Sequence, residues 1–96
     1  MAKYKIVFSD IALTDIKHAK AWYNLQQKGL GKRLAADIKQ TSSSIELNPF
    51  FASIKYNDVR TALCKKFPYA LHYKIYQEQN LVFVTSVFHT SREPLG

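Results

Sequence analysis

The stretches KKFPYALHY (residues 65–73) and LVFVTSVF (81–88) decide the fold of this chain. After its proline, the first stretch alternates apolar and polar residues, which is typical of a half-buried strand. The second is apolar at nearly every position, so we expect an interior strand with both faces covered. Residues 77–80 form a predicted turn between the two strands, and the second strand ends directly on the polar segment HTSREP (89–94).

The N-terminal half predicts one strand and two helices. Residues 3–8 are rich in β-branched and aromatic side chains, and Ser9 and Asp10 are typical N-cap residues that would end this strand and begin a helix. Apolar residues recur at helical spacing from Ala12 to Tyr23, with Trp22 widening the apolar stripe, and again over residues 34–45. We expect these helices to end near residues 27 and 47.

The junctions between elements complete the predicted order. Gly29 and Gly31 end the first helix and allow a second, antiparallel helix to begin at once. Asn48-Pro49 ends the second helix, residues 50–56 hold a possible short edge strand, and residues 59–64 alternate as a strand should.

The predicted order is therefore β-α-α-β-β-β, with that possible extra edge strand. It indicates an α+β domain in which a helical hairpin packs on one face of a small, mostly antiparallel, twisted sheet. The first strand is expected to pair with the apolar last strand. At 96 residues the chain has room for one domain, spanning residues 1–96.

Composition narrows the class of protein. Fourteen Lys and Arg residues against seven Asp and Glu residues give a formal charge of +7, which favours a partner with phosphate groups or an acidic protein. Cys64 is the single cysteine, so no internal disulfide can form. No apolar run is long enough for a signal peptide or a membrane span, and we expect a cytoplasmic location.

Familiar catalytic motifs are absent from the sequence. It has no glycine-rich phosphate loop, nucleophile elbow, HExxH motif or paired cysteines, and we expect no metal or cofactor. Cys64 is interpreted as a small core residue, the alternative being a reactive thiol activated by Lys65 and Lys66.

The three histidines differ in their surroundings. His18 is expected to be solvated, and His72 is expected to be exposed or lightly packed on the strand face that it shares with Lys74. His89 lies at the end of the apolar strand, close to Arg92. An imidazole and a guanidinium together suit RNA cleavage, whereas the alternative is that His89 caps the strand and Arg92 meets Glu93 or solvent.

Two further groups of cations could bind an acidic partner. Arg60, Lys65 and Lys66 are interleaved with aromatic residues, which suits phosphate neutralisation and base stacking, although Tyr69 and Tyr73 are expected in the core. Lys28, Lys32 and Arg33 surround the junction between the helices. Surface solvation is the alternative for both groups.

Taken in order, several short motifs resemble the RelE/ParE family of bacterial toxins. They are Ser9-Asp10, Trp22-Tyr23, Gly29-Leu30-Gly31, Asn48-Pro49, Val59-Arg60, Phe67-Pro68-Tyr69, and His89 with Arg92 and Pro94. The resemblance implies a cytoplasmic toxin of a type II toxin-antitoxin system, neutralised by a cognate antitoxin in a possible hetero-oligomer.

The family divides between two mechanisms. ParE-like members inhibit DNA gyrase by binding, whereas RelE-like members cut mRNA on the ribosome. In the nuclease branch an arginine usually follows the tyrosine that opens the penultimate strand, where this chain has Ala70, and a C-terminal aromatic residue has no counterpart here. The resemblance therefore favours a ParE-like gyrase inhibitor, the alternatives being an mRNA endonuclease or a toxin-fold relic without toxicity.

Seven residues are predicted to carry these activities. For a nuclease, His89 would be the proton carrier, with Arg60, Lys65 and Arg92 as phosphate clamps. Binding of the target or the antitoxin is assigned to Arg60, Lys65, Lys66, His89, Arg92, Lys32 and Arg33.

Overall fold

The structure, a computed structural model, describes residues 4–92, except for the side chain of Arg92. This part of the chain contains the strands β1 (Lys5–Phe8), β2 (Ile54–Tyr56), β3 (Val59–Leu63), β4 (Tyr69–Tyr76) and β5 (Leu81–His89), and the helices α1 (Asp10–Gln26) and α2 (Leu30–Leu47). The predicted α+β order is confirmed, and β2 is the extra edge strand.

All five strands join one mixed sheet in the order β1-β5-β4-β3-β2. β1 runs parallel to β5, with Lys5 opposite Leu81 and Phe8 opposite Val84, whereas the other neighbouring strands are antiparallel. The expected pairing of the first strand with the last is confirmed. It places the apolar β5 inside the sheet, where both of its edges have partners along residues 81–84.

The ends of the helices follow from local chemistry. The Ser9 hydroxyl accepts a hydrogen bond from the Ala12 N–H at 3.0 Å, which caps α1. Gly29 takes a left-handed φ of 87° between the helices, a conformation that favours glycine. A Cβ at Gly31 would lie 2.5 Å from the Lys20 carbonyl oxygen, so the two helices can cross this closely only with glycine there.

The core lies between the helices and one face of the sheet. Its buried members are small or aliphatic on the helices, and aliphatic or tyrosine on the central strands. They include Ala12, Ala19, Leu34, Ile38 and Ile45 from the helices, and Leu71, Tyr73, Val82, Val84 and Val87 from β4 and β5. The Tyr73 hydroxyl donates to the Pro49 carbonyl at 2.6 Å, so this buried polar group is satisfied.

The other face of the sheet also buries a histidine. His72 is only 1% exposed, and the expectation that it would be exposed or lightly packed is wrong. The Phe88 ring lies 4.4 Å from its imidazole and the Tyr56 ring 5.6 Å away, between centroids, and these two rings cover it. The Ser86 hydroxyl lies 3.4 Å from its Nδ1.

Trp22 also departs from the predicted apolar stripe. Its side chain is 52% exposed, because Tyr23 rather than Trp22 turns inward against Phe67, with ring centroids 5.3 Å apart. The turn of α1 at residues 22–23 therefore presents one aromatic ring to the core and leaves its neighbour largely in solvent.

A buried carboxylate fixes the connection between β3 and β4. Asp37 of α2 is 3% exposed, and its Oδ2 accepts hydrogen bonds from the backbone N–H groups of Lys66 and Phe67 at 3.0 and 2.8 Å. Charge-assisted bonds of this kind hold residues 65–67 against the helix.

Replacing Tyr73 by Phe should lower the free energy of unfolding by about 1 to 2 kcal/mol, because the Pro49 carbonyl loses its donor. Burial raises the pKa of Tyr73 to about 12, against a usual value of 10.0. Its folded state therefore keeps a proton that the unfolded chain releases, and the resulting stability is lost as pH rises from 10 towards 12. Urea unfolding at pH 7 to 11 tests both effects. Tyr76→Phe, on an exposed residue of the same strand, is the control and should change neither.

Replacing Asp37 by Ala should cost about 2 to 3 kcal/mol, because two backbone N–H groups lose a charged acceptor. Amide exchange at Lys66 and Phe67 should accelerate in the same variant. Gln40→Ala, on an exposed residue of the same helix, is the matched control. Unchanged unfolding and unchanged exchange in the Asp37 variant would contradict the proposed role of the carboxylate.

Candidate functional site

One end of the molecule collects exposed cations from separate stretches of chain. We define the basic end as the exposed residues Lys28, Lys32, Arg33, Lys65 and Lys66. The junction between the helices supplies three of them and the β3–β4 connection supplies two. Arg33 and Lys66 line one small pocket of about 120 Å³ together with Gln40 and Phe67, so the two stretches meet there.

The electrostatics of the basic end are dominated by these cations. The carboxylate among them, Asp37, is buried and accepts the two backbone hydrogen bonds of the connection, so it is not displayed to a partner. Exposed cations gathered in this way attract phosphate groups or carboxylates from a distance, an effect that salt screens. The structure thus brings together Arg33 and Lys66 of the predicted binding residues, and Lys32 and Lys65 are their exposed neighbours along the chain.

A second feature is the cleft between α1 and the last residues of β5, with a volume of about 460 Å³. Its walls are mainly aromatic and imidazole side chains. Asp15, His18, Trp22, Tyr23, Tyr69 and His89 line it. The Asp15 carboxylate accepts a hydrogen bond from the Val87 N–H at 2.9 Å, which joins α1 to the part of β5 that extends beyond β1.

His89 occupies this cleft in a defined tautomer. Its Nδ1 accepts from the Ser91 backbone N–H at 3.1 Å and lies 2.7 Å from the Ser91 hydroxyl. Because Nδ1 acts as an acceptor, the neutral ring carries its proton on Nε2. The Tyr69 ring meets the imidazole edge to face, with centroids 5.4 Å apart. In this geometry the Nε2–H group of His89 can donate a hydrogen bond to a ligand. Nδ1 already accepts a hydrogen bond from Ser91, so it is not free to accept a proton from a ligand.

Arg60 lies apart from the other predicted residues. Its guanidinium donates to the Ala52 carbonyl and sits 5.2 Å from the centre of the Phe50 ring. Lys65 instead lines a small pocket with Gln40, Phe51 and Leu63, and neither Arg60 nor His89 lines that pocket. The structure therefore does not bring Arg60, Lys65 and His89 into one cluster.

Arg92 belonged to the same predicted cluster. Its side chain lies outside the described residues. The backbone of residues 90–92 forms a short 3₁₀ turn, and the Thr90 N–H donates to the Pro68 carbonyl at 2.8 Å. This contact places the segment after β5 beside the β3–β4 connection.

Ala70 lies on the sheet face opposite the helices, at the position where the resemblance to RelE-like nucleases implies an arginine. Ala70 is fully buried and pairs with Leu63 on one side and Phe88 on the other. Leu63 is 66% exposed, and Thr61 lies two residues before it on β3. Neither leucine nor threonine can neutralise a phosphate, so these positions supply no cation for phosphoryl chemistry.

Cys64 fits the interpretation of a packed residue. Burial raises the pKa of its thiol above the usual value, the Asp37 charge raises it further, and a hydrogen bond with Thr41 opposes the shift. A nucleophilic cysteine needs the opposite shift, because the thiolate is the reactive species.

Sequence reasoning missed three residues of these features. Asp15 was not singled out as a site residue, and His18, which is exposed as expected, was given no part in a site; both line the α1–β5 cleft. Asp37 gave a usable signal, since it interrupts the apolar positions of α2 next to Ile38. Within residues 4–92 no group of three His, Cys, Asp or Glu side chains could hold a metal ion. No described helix has the length and apolar character needed to cross a membrane.

Comparison with known proteins places the chain in a family. The family whose sequence model matches is described as the ParE toxin of type II toxin-antitoxin systems, parDE, and the match spans residues 6–94. No curated protein sequence matches significantly.

Solved structures share the fold at low sequence identity. A chromosomal ParDE toxin-antitoxin system from P. aeruginosa matches with a TM-score of 0.78 and 10% identity, over 90% of this chain and 95% of that one. The intact E. coli RelBE toxin-antitoxin complex matches with a TM-score of 0.71 and 21% identity, over 93% and 99%. The isolated E. coli RelE toxin gives 0.70 and 20%, over 94% and 87%. With the family match covering nearly the whole chain, this protein belongs to the ParE toxin family of type II toxin-antitoxin systems.

Proposed function

We propose that this toxin inhibits DNA gyrase by binding to it and that a cognate antitoxin neutralises it. Ala70, at a position where the nuclease branch usually has an arginine, supports this proposal, as does the match to the ParE toxin family. The ParDE and RelBE neighbours are toxin-antitoxin systems, which supports an antitoxin as partner of this chain too. Both gyrase and a cytoplasmic antitoxin imply that the toxin works in the cytoplasm.

The observation that carries the proposal is the separation of the residues that a nuclease would need together. Arg60 is bound to the Ala52 carbonyl and His89 is held by Ser91 in another part of the fold. Ala70 stands where a RelE-like arginine is expected. Cleavage of RNA needs a base and cations on the same phosphate, and separated groups cannot stabilise one transition state. Inhibition by binding needs no such cluster.

The basic end offers a physical basis for binding. Gyrase works on DNA, and a toxin with a formal charge of +7 would be attracted to acidic surface of the enzyme or to the phosphates of its bound DNA. Lys32, Arg33, Lys65 and Lys66 would draw the toxin to such a surface. His89 would supply a donor in the neighbouring cleft, and Arg92 is proposed as a further contact.

Purified toxin should inhibit DNA supercoiling by gyrase in a dose-dependent manner and leave ribosome-bound mRNA intact, because it works by binding and lacks an assembled nuclease site. The measurement is a supercoiling assay beside a translation reaction in which mRNA ends are mapped. Adding the cognate antitoxin should restore supercoiling. Cleaved mRNA with unaffected supercoiling would overturn the proposal.

That opposite outcome would point to the alternative, a ribosome-dependent mRNA endonuclease. The position of His89 in a cleft with Tyr69 and His18 is the observation that favours it. Under that mechanism His89→Ala should slow cleavage by about a hundredfold. Normal supercoiling, intact mRNA and normal growth on induction would instead identify a toxin-fold relic.

Reversing two charges at the basic end should weaken gyrase inhibition. We expect Arg33→Glu with Lys66→Glu to raise the half-inhibitory toxin concentration by at least about tenfold at low salt, because long-range attraction is lost. Lys5→Glu with Lys17→Glu changes the net charge equally at exposed positions outside the basic end and is the matched control. Equal loss in both double variants would mean that only net charge matters, and the basic end would then have no special role.

A further inference from the structure

A row of aromatic rings in mutual contact forms one wall of the α1–β5 cleft. Trp22 meets Tyr23 edge to face, with ring centroids 4.9 Å apart, and the Tyr23 ring lies 6.0 Å from that of Tyr69. The imidazole of His89 continues the row beyond Tyr69. Rings that support one another in this way keep their positions without a ligand, so a flat group can bind with little ordering of side chains.

Trp22 is the ring of this row with the most accessible surface. Its side chain is 52% exposed and lines the cleft. The planes of Trp22 and Tyr23 are inclined by 86°, so this contact covers at most one face of the indole. An indole face that is open at the wall of a cleft is a surface on which another flat ring can stack.

The cleft also offers a hydrogen-bond donor and an acceptor. The Nε2–H group of His89 can donate. The Asp15 carboxylate, which accepts from the Val87 N–H through Oδ2, keeps further lone pairs for accepting. A nucleobase has donors and acceptors along its edge, whereas the phenyl ring of a partner protein has neither. The cleft therefore suits a base better than an apolar side chain.

The basic end adjoins this cleft. The Tyr23 ring in the cleft lies 5.3 Å from the Phe67 ring, and Phe67 lines the small pocket of Arg33 and Lys66. A base in the cleft would thus have cations close by for the phosphates of its strand. Aromatic rings for the bases and cations for the phosphates are the combination by which proteins bind single strands of nucleic acid.

We propose that the α1–β5 cleft binds an unpaired base of DNA, which stacks on Trp22 while the phosphates of its strand lie along the basic end. The base must be unpaired, because a base inside a duplex has both faces covered by its neighbours. Supercoiling of closed DNA changes only when strands are broken, and the ends of broken strands can release a base. The choice of DNA over RNA rests on the proposed function, whereas the stacking site does not.

Trp22 is the single tryptophan of the chain, so its fluorescence reports directly on the cleft. A short single-stranded DNA should quench this fluorescence in the purified toxin, and a duplex of the same sequence should not. A strand of equal length made of abasic sugars has the same phosphates without bases, and it should bind at least about tenfold more weakly. Equal affinity for the intact and abasic strands would overturn base stacking. Tight binding without quenching would overturn the cleft as the site, and equal quenching by the duplex would overturn the need for an unpaired base.

Variants of α1 test Trp22 itself. Trp22→Ala should raise the Kd for the intact strand by at least about tenfold, because the stacking surface is lost. Its Kd for the abasic strand should stay the same, which also shows that the variant is folded. Trp22→Phe keeps a ring and should recover most of the affinity. Leu25→Ala, at an 83% exposed residue of the same helix, is the matched control and should change the Kd by less than about threefold. Equal affinity of Trp22→Ala and Leu25→Ala would overturn the role of Trp22.

A comparison with RNA tests the choice of nucleic acid. The DNA strand should bind at least as tightly as an RNA strand of the same sequence, and RNA binding at least about tenfold tighter would overturn DNA as the ligand. None of these measurements contains gyrase. A toxin that binds the strand but leaves supercoiling unaffected would contradict the proposed function alone, and a toxin that inhibits supercoiling without quenching of Trp22 would contradict the base site alone.

Discussion

The one-sided, parallel pairing of β1 with β5 is the constraint from which the functional surfaces follow. β1 has four residues and β5 has nine, so the pairing stops at Val84 and the rest of β5 needs other partners. The chain turns into α1 at Ser9, whose hydroxyl donates to the Thr85 carbonyl at 3.0 Å. The Asp15 carboxylate, farther along α1, accepts a hydrogen bond from the Val87 N–H. The α1–β5 cleft forms where helix side chains replace the missing length of β1.

The same pairing leaves the other side of β1 open. Once β5 takes one edge of this strand, a groove lined by Ile6, Phe8 and one face of α2 borders the other edge. The basic end lies where the helices turn and the β3–β4 connection packs against α2 through Asp37. The fold thus separates an apolar surface from a cationic one. Separate surfaces of this kind suit a toxin that must meet both an inhibitory partner and a target, and a partner that covers one surface can extend towards the other.

Patterns within a single element could be predicted from the sequence, whereas encounters between distant elements could not. Alternation, caps and breakers identified the helices, the strands and the pairing of β1 with β5, because these signals are local or concern a strand that is apolar at nearly every position. Burial of His72 depends on Tyr56 and Phe88, which come from two other strands. The periodicity of β4 alone cannot predict these contacts between strands. Arg60 fails to join His89 because Ala52 and Phe50, from the turn after α2, hold its guanidinium. A side chain's neighbours across the sheet are set by register and twist, which composition does not reveal.

The two functional surfaces depend most directly on β1 being paired along one edge alone. Amide hydrogen exchange of the free toxin, measured residue by residue along β1, tests this pairing. We expect an alternation in which the Val7 and Ser9 amides, directed at β5, exchange at least about tenfold more slowly than those of Ile6 and Phe8. Uniformly slow exchange at all four residues would mean that both edges of β1 are occupied in the free protein. Uniformly fast exchange would mean that β1 is not held by β5, and either result would contradict the account.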